Sequence, residues 1–221
     1  MRWWQMVRQG LQGLALVALI LVSCAAPGGN STAEGCGGLE ASVSCLDITR
    51  IAPTYLGTES SAVDAFRDTC RDPITGTVTG VEPFADHQAV ISFAGSRFPT
   101  ASSSFDIRIL SFTVSYTLNQ CPAAARGCPP LTGLTGDATI VVPAPPAGST
   151  SSVTATFPFV PLRTKAEYVG AGGEISTATP LISFPSYIAT YVFTAQTTRF
   201  NDTVTVRGSA EFSIGDFNNC R

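Results

Sequence analysis

The chain has 221 residues, 44% of them hydrophobic and only 13% charged, about half the charged share of an ordinary soluble domain. Thirteen basic and 16 acidic side chains give a net charge of −3, and Lys165 is the sole lysine. No basic stripe can therefore neutralise phosphates, which excludes a nucleic-acid binder. The 13 Phe and the apolar content suffice for a buried core, which excludes a disordered chain. With 26 Thr and 21 Ser, the polar surface is hydroxylated more than ionised.

Residues 1–23 hold Arg2 and Arg8, no acid, and an unbroken apolar run from Gly13 to Val22. This is the layout of a signal peptide. As a helix the apolar run spans about 15 Å, half of a hydrocarbon core of about 30 Å, so a processed segment fits better than a permanent span. The run ends in Leu21-Val22-Ser23-Cys24, which resembles the lipobox of bacterial lipoprotein precursors. The resemblance covers only this processing segment. It implies cleavage before Cys24, a diacylglycerol on the Cys24 thiol and acylation of the freed amine. Ala25 in place of an aspartate implies sorting to the outer membrane of the bacterial envelope. Two or three acyl chains anchor stably where a single one is marginal.

Residues 24–38 then form a lipidated tether, small and Gly-rich after the cysteine (AAPGGNSTAEGCGG), and residues 39–221 a single domain. Without residues 1–23 the chain keeps 11 basic and 16 acidic side chains. Anionic lipids repel such a body, so the acyl group and not charge must hold it to the membrane.

Six further cysteines, Cys36, Cys45, Cys70, Cys121, Cys128 and Cys220, are an even number in an exported chain and read as disulfide candidates. Cys121 and Cys128 flank the short segment PAAARG and can staple it locally. Cys220 must reach back to one of the three early cysteines. No CxxC pair exists and the single histidine, His87, has no cysteine nearby, so no zinc site is expected.

Along the body, Ser60–Cys70 (SSAVDAFRDTC) is the one window with a helical pattern. The rest alternates as strands do. Short strands are expected at Cys45–Ile51, Ile74–Val81, Gln88–Ala94, Ala138–Val142 and Val153–Phe159. In Phe105–Leu118 the apolar positions change phase at Ile109-Leu110, which predicts a β-bulge or a bend. PAPPAGS at 143–149 and GAGG at 170–173 read as loops.

Ser186–Phe200 and Thr203–Ile214 read as a hairpin turning at Asn201-Asp202. Pairing Phe200 with Thr203 sets Tyr191 opposite Phe212 and Phe193 opposite Ala210, with one face apolar throughout. About eight strands without a βαβ rhythm predict an all-β fold: a two-sheet antiparallel β-sandwich of immunoglobulin-like or related Greek-key type.

Chemistry is sparse. A lone histidine restricts acid-base and nucleophilic mechanisms, no Gly-x-Ser-x-Gly elbow is present, and Ser92 and Ser96 lack an oxyanion partner. His87 beside Asp86 is expected to be a solvated turn residue; the pairs Asp68/Asp72 and Glu82/Asp86 have the chemistry to act together in glycoside hydrolysis or to bind calcium, but are expected to be solvated loops. No segment has the dense Asp/Asn alternation of a calcium loop, and GAGGE at 170–174 lacks nucleotide-loop spacing. The tail Asp216-Phe217-Asn218-Asn219-Cys220 reads as a strand end pinned by a disulfide.

The expectation is a non-enzymatic binding or structural module with no cofactor and no metal. Its partners are the membrane, through the acyl anchor, and a protein or glycan of the envelope. Exposed edge strands offer a docking place. An accessory subunit of a secretion or filament machine is the alternative, and a hydrolase a more distant one.

Overall fold

The computed structural model describes residues 44–97, 103–123, 125–146, 149–175, 184–199, 203–217 and 219–220. The signal segment, Cys24, the tether, Cys36 and the expected turn Asn201-Asp202 lie outside the described residues.

Alternation of apolar and hydroxylated side chains builds the elements. Among the described residues they are β1 (Ser44–Tyr55), β2 (Thr58–Glu59), β3 (Ala62–Asp64), β4 (Thr69–Arg71), β5 (Val78–Val81), β6 (His87–Arg97), β7 (Ile107–Gln120), β8 (Leu134–Val142), β9 (Thr150–Val160), α1 (Leu162–Gly170), β10 (Ser186–Thr197) and β11 (Thr203–Gly215). One sheet runs β2-β1-β6-β9, a second β3-β11-β10-β7-β8, and β4 pairs with β5 in a small third. Each of the eight expected strands has a counterpart, and the fold is all-β. The pairing is antiparallel except where β3 runs parallel to β11.

The two larger sheets share one core. Phe93 of β6 and Phe157 of β9 meet Phe193 of β10 edge-on, with ring centroids 5.0 and 4.9 Å away. Phe159 of β9 meets Phe212 of β11 at 5.0 Å. Such edge-to-face pairs add about 0.5–1.5 kcal/mol each beyond the area they bury.

All five tyrosines of the chain donate their hydroxyls to backbone carbonyls: Tyr55 to Pro83, Tyr116 to Phe159, Tyr168 to Glu174, Tyr187 to Pro129 and Tyr191 to Pro158. The bond offsets the cost of taking each hydroxyl out of water with its ring.

The phase change in β7 is a bulge. Ala195 and Thr194 of β10 pair with Ile109 and Ser111, which leaves Leu110 unpaired and partly exposed. The turn after β1 is also specified locally. Leu56 and Gly57 both have positive φ, 49° and 82°, and close Tyr55 onto Thr58 as a two-residue hairpin whose twist suits its strands.

Three expectations fail. The window Ser60–Cys70 holds no helix but β3 and β4, and the helix lies at Leu162–Gly170 instead. The Asp64 carboxylate accepts the Phe66 N–H, a local bond that competes with helical pairing, while the edge of β11 takes up β3. Helix α1 hides from a periodicity search because its buried positions are Thr164, Lys165 and Tyr168. Its first N–H, on Leu162, is capped by the distant Asp86 at 2.6 Å.

The β10–β11 hairpin forms, but its register sits four residues from the one expected: Tyr191 faces Gly208, Phe193 faces Val206 and Tyr187 faces Phe212. A shift of four keeps side-chain parity, so facial patterning cannot distinguish it. Packing does. A Cβ on Gly208 would stand 2.8 Å from Ile51 Cδ1 and 3.2 Å from Ile48, so β1 lies directly over this glycine.

Candidate metal centre

Three acidic residues converge where three strands end. Asp64 closes β3, Glu82 follows β5 and Asp216 follows β11. The parallel pairing of Gly215 with Asp64, with an Ala65 N–H to Gly215 carbonyl bond of 2.7 Å, brings the first and last together. Glu82 is added by the small third sheet, where the Asp68 N–H donates to its Oε1 at 2.7 Å. Each of the three offers a carboxylate oxygen within 4.8 Å of the other two. Asp64 is 0% exposed, Glu82 1% and Asp216 7%.

The tail of the chain ties this cluster down. Asn219 donates its side-chain N–H to Asp64 Oδ2 at 2.8 Å and its backbone N–H to Glu82 Oε2 at 2.9 Å. The Phe217 N–H reaches Asp64 Oδ1 at 3.4 Å. The next residue, Cys220, forms a disulfide with Cys70 of β4. Asp216 Oδ1 is the exception, since it is buried with no hydrogen-bond partner.

Burial disfavours the charged forms. It pushes Asp64 up to about 6, against hydrogen bonds from Phe66, Asn219 and Phe217 that pull the other way, and with repulsion from Glu82. It pushes Asp216 up to about 6 as well, helped by the negative charges of Asp68 and Glu82.

The chain's sole lysine and sole histidine lie beside this cluster. Lys165, on α1 and 0% exposed, donates to the Ala85 carbonyl at 2.7 Å, with Nζ 4.6 Å from the Phe84 ring centre and 5.4 Å from that of Tyr55. Burial lowers it to about 8, although Asp64, Asp86 and Glu82 favour its charge. No Lys, Arg or His among the described residues forms an ion pair with the three carboxylates. Lys165 therefore acts on them from a distance.

His87 opens β6, is fully buried, stacks on Tyr55 at 4.5 Å and bonds the Ala62 carbonyl through Nε2 at 3.0 Å. Burial lowers it to about 4. The expected solvated turn residue is thus a neutral ring in the core, because β1 and β3 cover the start of β6.

The carboxylate pairs also separate. Asp86 is exposed, but Glu82 is buried and belongs to the cluster. Asp72 accepts the Ile74 and Thr75 N–H groups in an exposed turn, and Asp68 contributes its backbone. Cys121 and Cys128 are joined, and Cys45 is disulfide-bonded too.

Sequence reasoning missed Asp64 and treated Asp216 only as part of the tail. The sequence offered each of the three only singly, as an acid at the end of a strand in a chain with few charges, and nothing local grouped them. No protein-family model, no curated protein and no solved structure matches this chain.

Proposed function

We propose that the chain is an exported, lipid-anchored protein of the bacterial envelope whose β-sandwich serves as a binding or structural module without catalysis. The observation that carries the reading is the Cys70–Cys220 disulfide. It closes a loop of 150 residues in sequence, and such bonds persist in oxidising compartments. The Cys121–Cys128 bond supports the same compartment.

The lipobox-like Leu21-Val22-Ser23-Cys24 then gives the exported domain its membrane attachment. Two facing sheets with one aromatic core suit a sandwich of immunoglobulin-like or Greek-key kind, a frame that holds its shape while standing on a tether. The closed-in, neutral His87 and the buried Lys165 are held by the core, which supports a non-catalytic role.

Fractionation of cells carrying Cys24→Ala tests the anchor. The variant should leave the membrane fraction and appear in the soluble fraction with the Cys70–Cys220 bond intact. An unchanged membrane fraction would refute lipid attachment.

A further inference from the structure

We propose that Asp64, Glu82 and Asp216 form a calcium site that fastens the end of the chain to β3 and β5. The proposal is independent of lipid anchoring. Two observations of different kinds carry it. The first is the geometry: three buried carboxylates from separate segments offer oxygens all within 4.8 Å of one another. Oxygens on opposite sides of a calcium ion stand about 5 Å apart, twice a contact of about 2.3–2.6 Å. The cluster therefore already has the span of a coordination shell.

The second observation is Asp216 Oδ1, which is buried at a residue only 7% exposed and accepts no hydrogen bond. A lone carboxylate oxygen in such a place costs free energy unless something donates to it. The other two carboxylates accept hydrogen bonds from Phe66, Asp68, Phe217 and Asn219, so their positions are fixed by the backbone around them. Two carboxylates are thus held in place, and the third brings to the same cluster a buried oxygen without a hydrogen-bond partner.

The donor chemistry selects the ion. An all-carboxylate set is hard and suits calcium or magnesium over zinc or copper. Magnesium sheds its waters reluctantly and prefers sites that let it keep several, which a cluster 0–7% exposed does not. Calcium accepts irregular oxygen shells, as expected for ligands gathered from three strand ends instead of one loop. Asp216, the most accessible of the three, marks the side of entry.

The test uses the intact chain, purified in detergent and stripped with chelator at neutral pH. Calcium chloride should raise Tm by about 3–5 °C for each tenfold rise in free calcium beyond the dissociation constant. Terbium should show tyrosine-sensitised emission that calcium displaces.

Asp216→Asn should lose both responses yet be more stable than the wild type in chelator, because it removes a buried charge. The exposed Asp137→Asn on β8 should keep both. If the Tm of the wild type does not move up to about 10 mM calcium, well above the weakest extracellular sites, the proposal is overturned. It is equally overturned if Asp216→Asn responds as the wild type does, because calcium then binds elsewhere. Should Asp216→Asn fail to fold, Glu82→Gln takes its place in the same titrations, and a wild-type-like response from it overturns the proposal in the same way.

Discussion

His87 is the residue at which burial decides titration most simply. Its Nε2 bonds the Ala62 carbonyl, its Nδ1 is buried without a partner, and Tyr55 covers one face. Protonation would add an N–H with nothing to accept it, while Lys165 repels the new charge and Asp86 favours it. The folded value of about 4 lies below the ordinary 6.5, so the unfolded chain binds more protons between those values. Stability from this residue is complete above about pH 6.5 and declines as pH falls toward 4, by a total on the order of 3 kcal/mol. His87→Gln keeps a donor for Ala62 and cannot titrate. Urea unfolding of both proteins from pH 4 to 7 should show the variant gaining on the wild type as pH falls. A constant difference between them would show that His87 is not titrating in this window.

At the scale of elements, two features hold the strands in their places. Gly208 admits β1 against β11, and a methyl there would meet Ile51 and Ile48. Gly208→Ala should destabilise the domain by about 1–3 kcal/mol through overpacking, and Ile51→Val in the same chain should recover part of it. Equal losses with and without Ile51→Val would mean that the two strands do not meet as described.

The disulfides act at very different ranges, with sequence separations of 7 and 150. Loop-closure entropy gives about 2.5 kcal/mol for the first and about 5 kcal/mol for the second. Replacing Cys70 and Cys220 together by Ser should therefore lower the urea midpoint roughly twice as far as replacing Cys121 and Cys128.

The elements also show what the sequence could carry. The long strands were legible because hydroxylated and apolar residues alternate, and the phase change at Leu110 announced its bulge. Even-numbered register shifts were invisible, since Tyr191 points the same way opposite Phe212 or Gly208. The helix was missed because its inward face is Thr164, Lys165 and Tyr168. The acidic cluster was illegible for a related reason: Asp64, Glu82 and Asp216 belong to three short-range contexts that only the parallel β3–β11 pair and the small third sheet bring together.

Across the whole molecule, scarce charge is unevenly spent. Ser and Thr are the commonest residues at exposed strand positions, while the only lysine, the only histidine and three carboxylates are buried near one another. β1 separates this end from the other. Ser44 at its start bonds Phe105, Tyr55 at its finish touches His87, and a strand of 12 residues spans about 36–40 Å.

The central claim is that a cation joins Asp64, Glu82 and Asp216. Anomalous diffraction from crystals grown with terbium tests it most directly. The account predicts a difference peak about 2.3–2.6 Å from an oxygen of each of the three carboxylates, with Asp216 Oδ1 among them. A peak confined to exposed carboxylates, with none between these three, would contradict it.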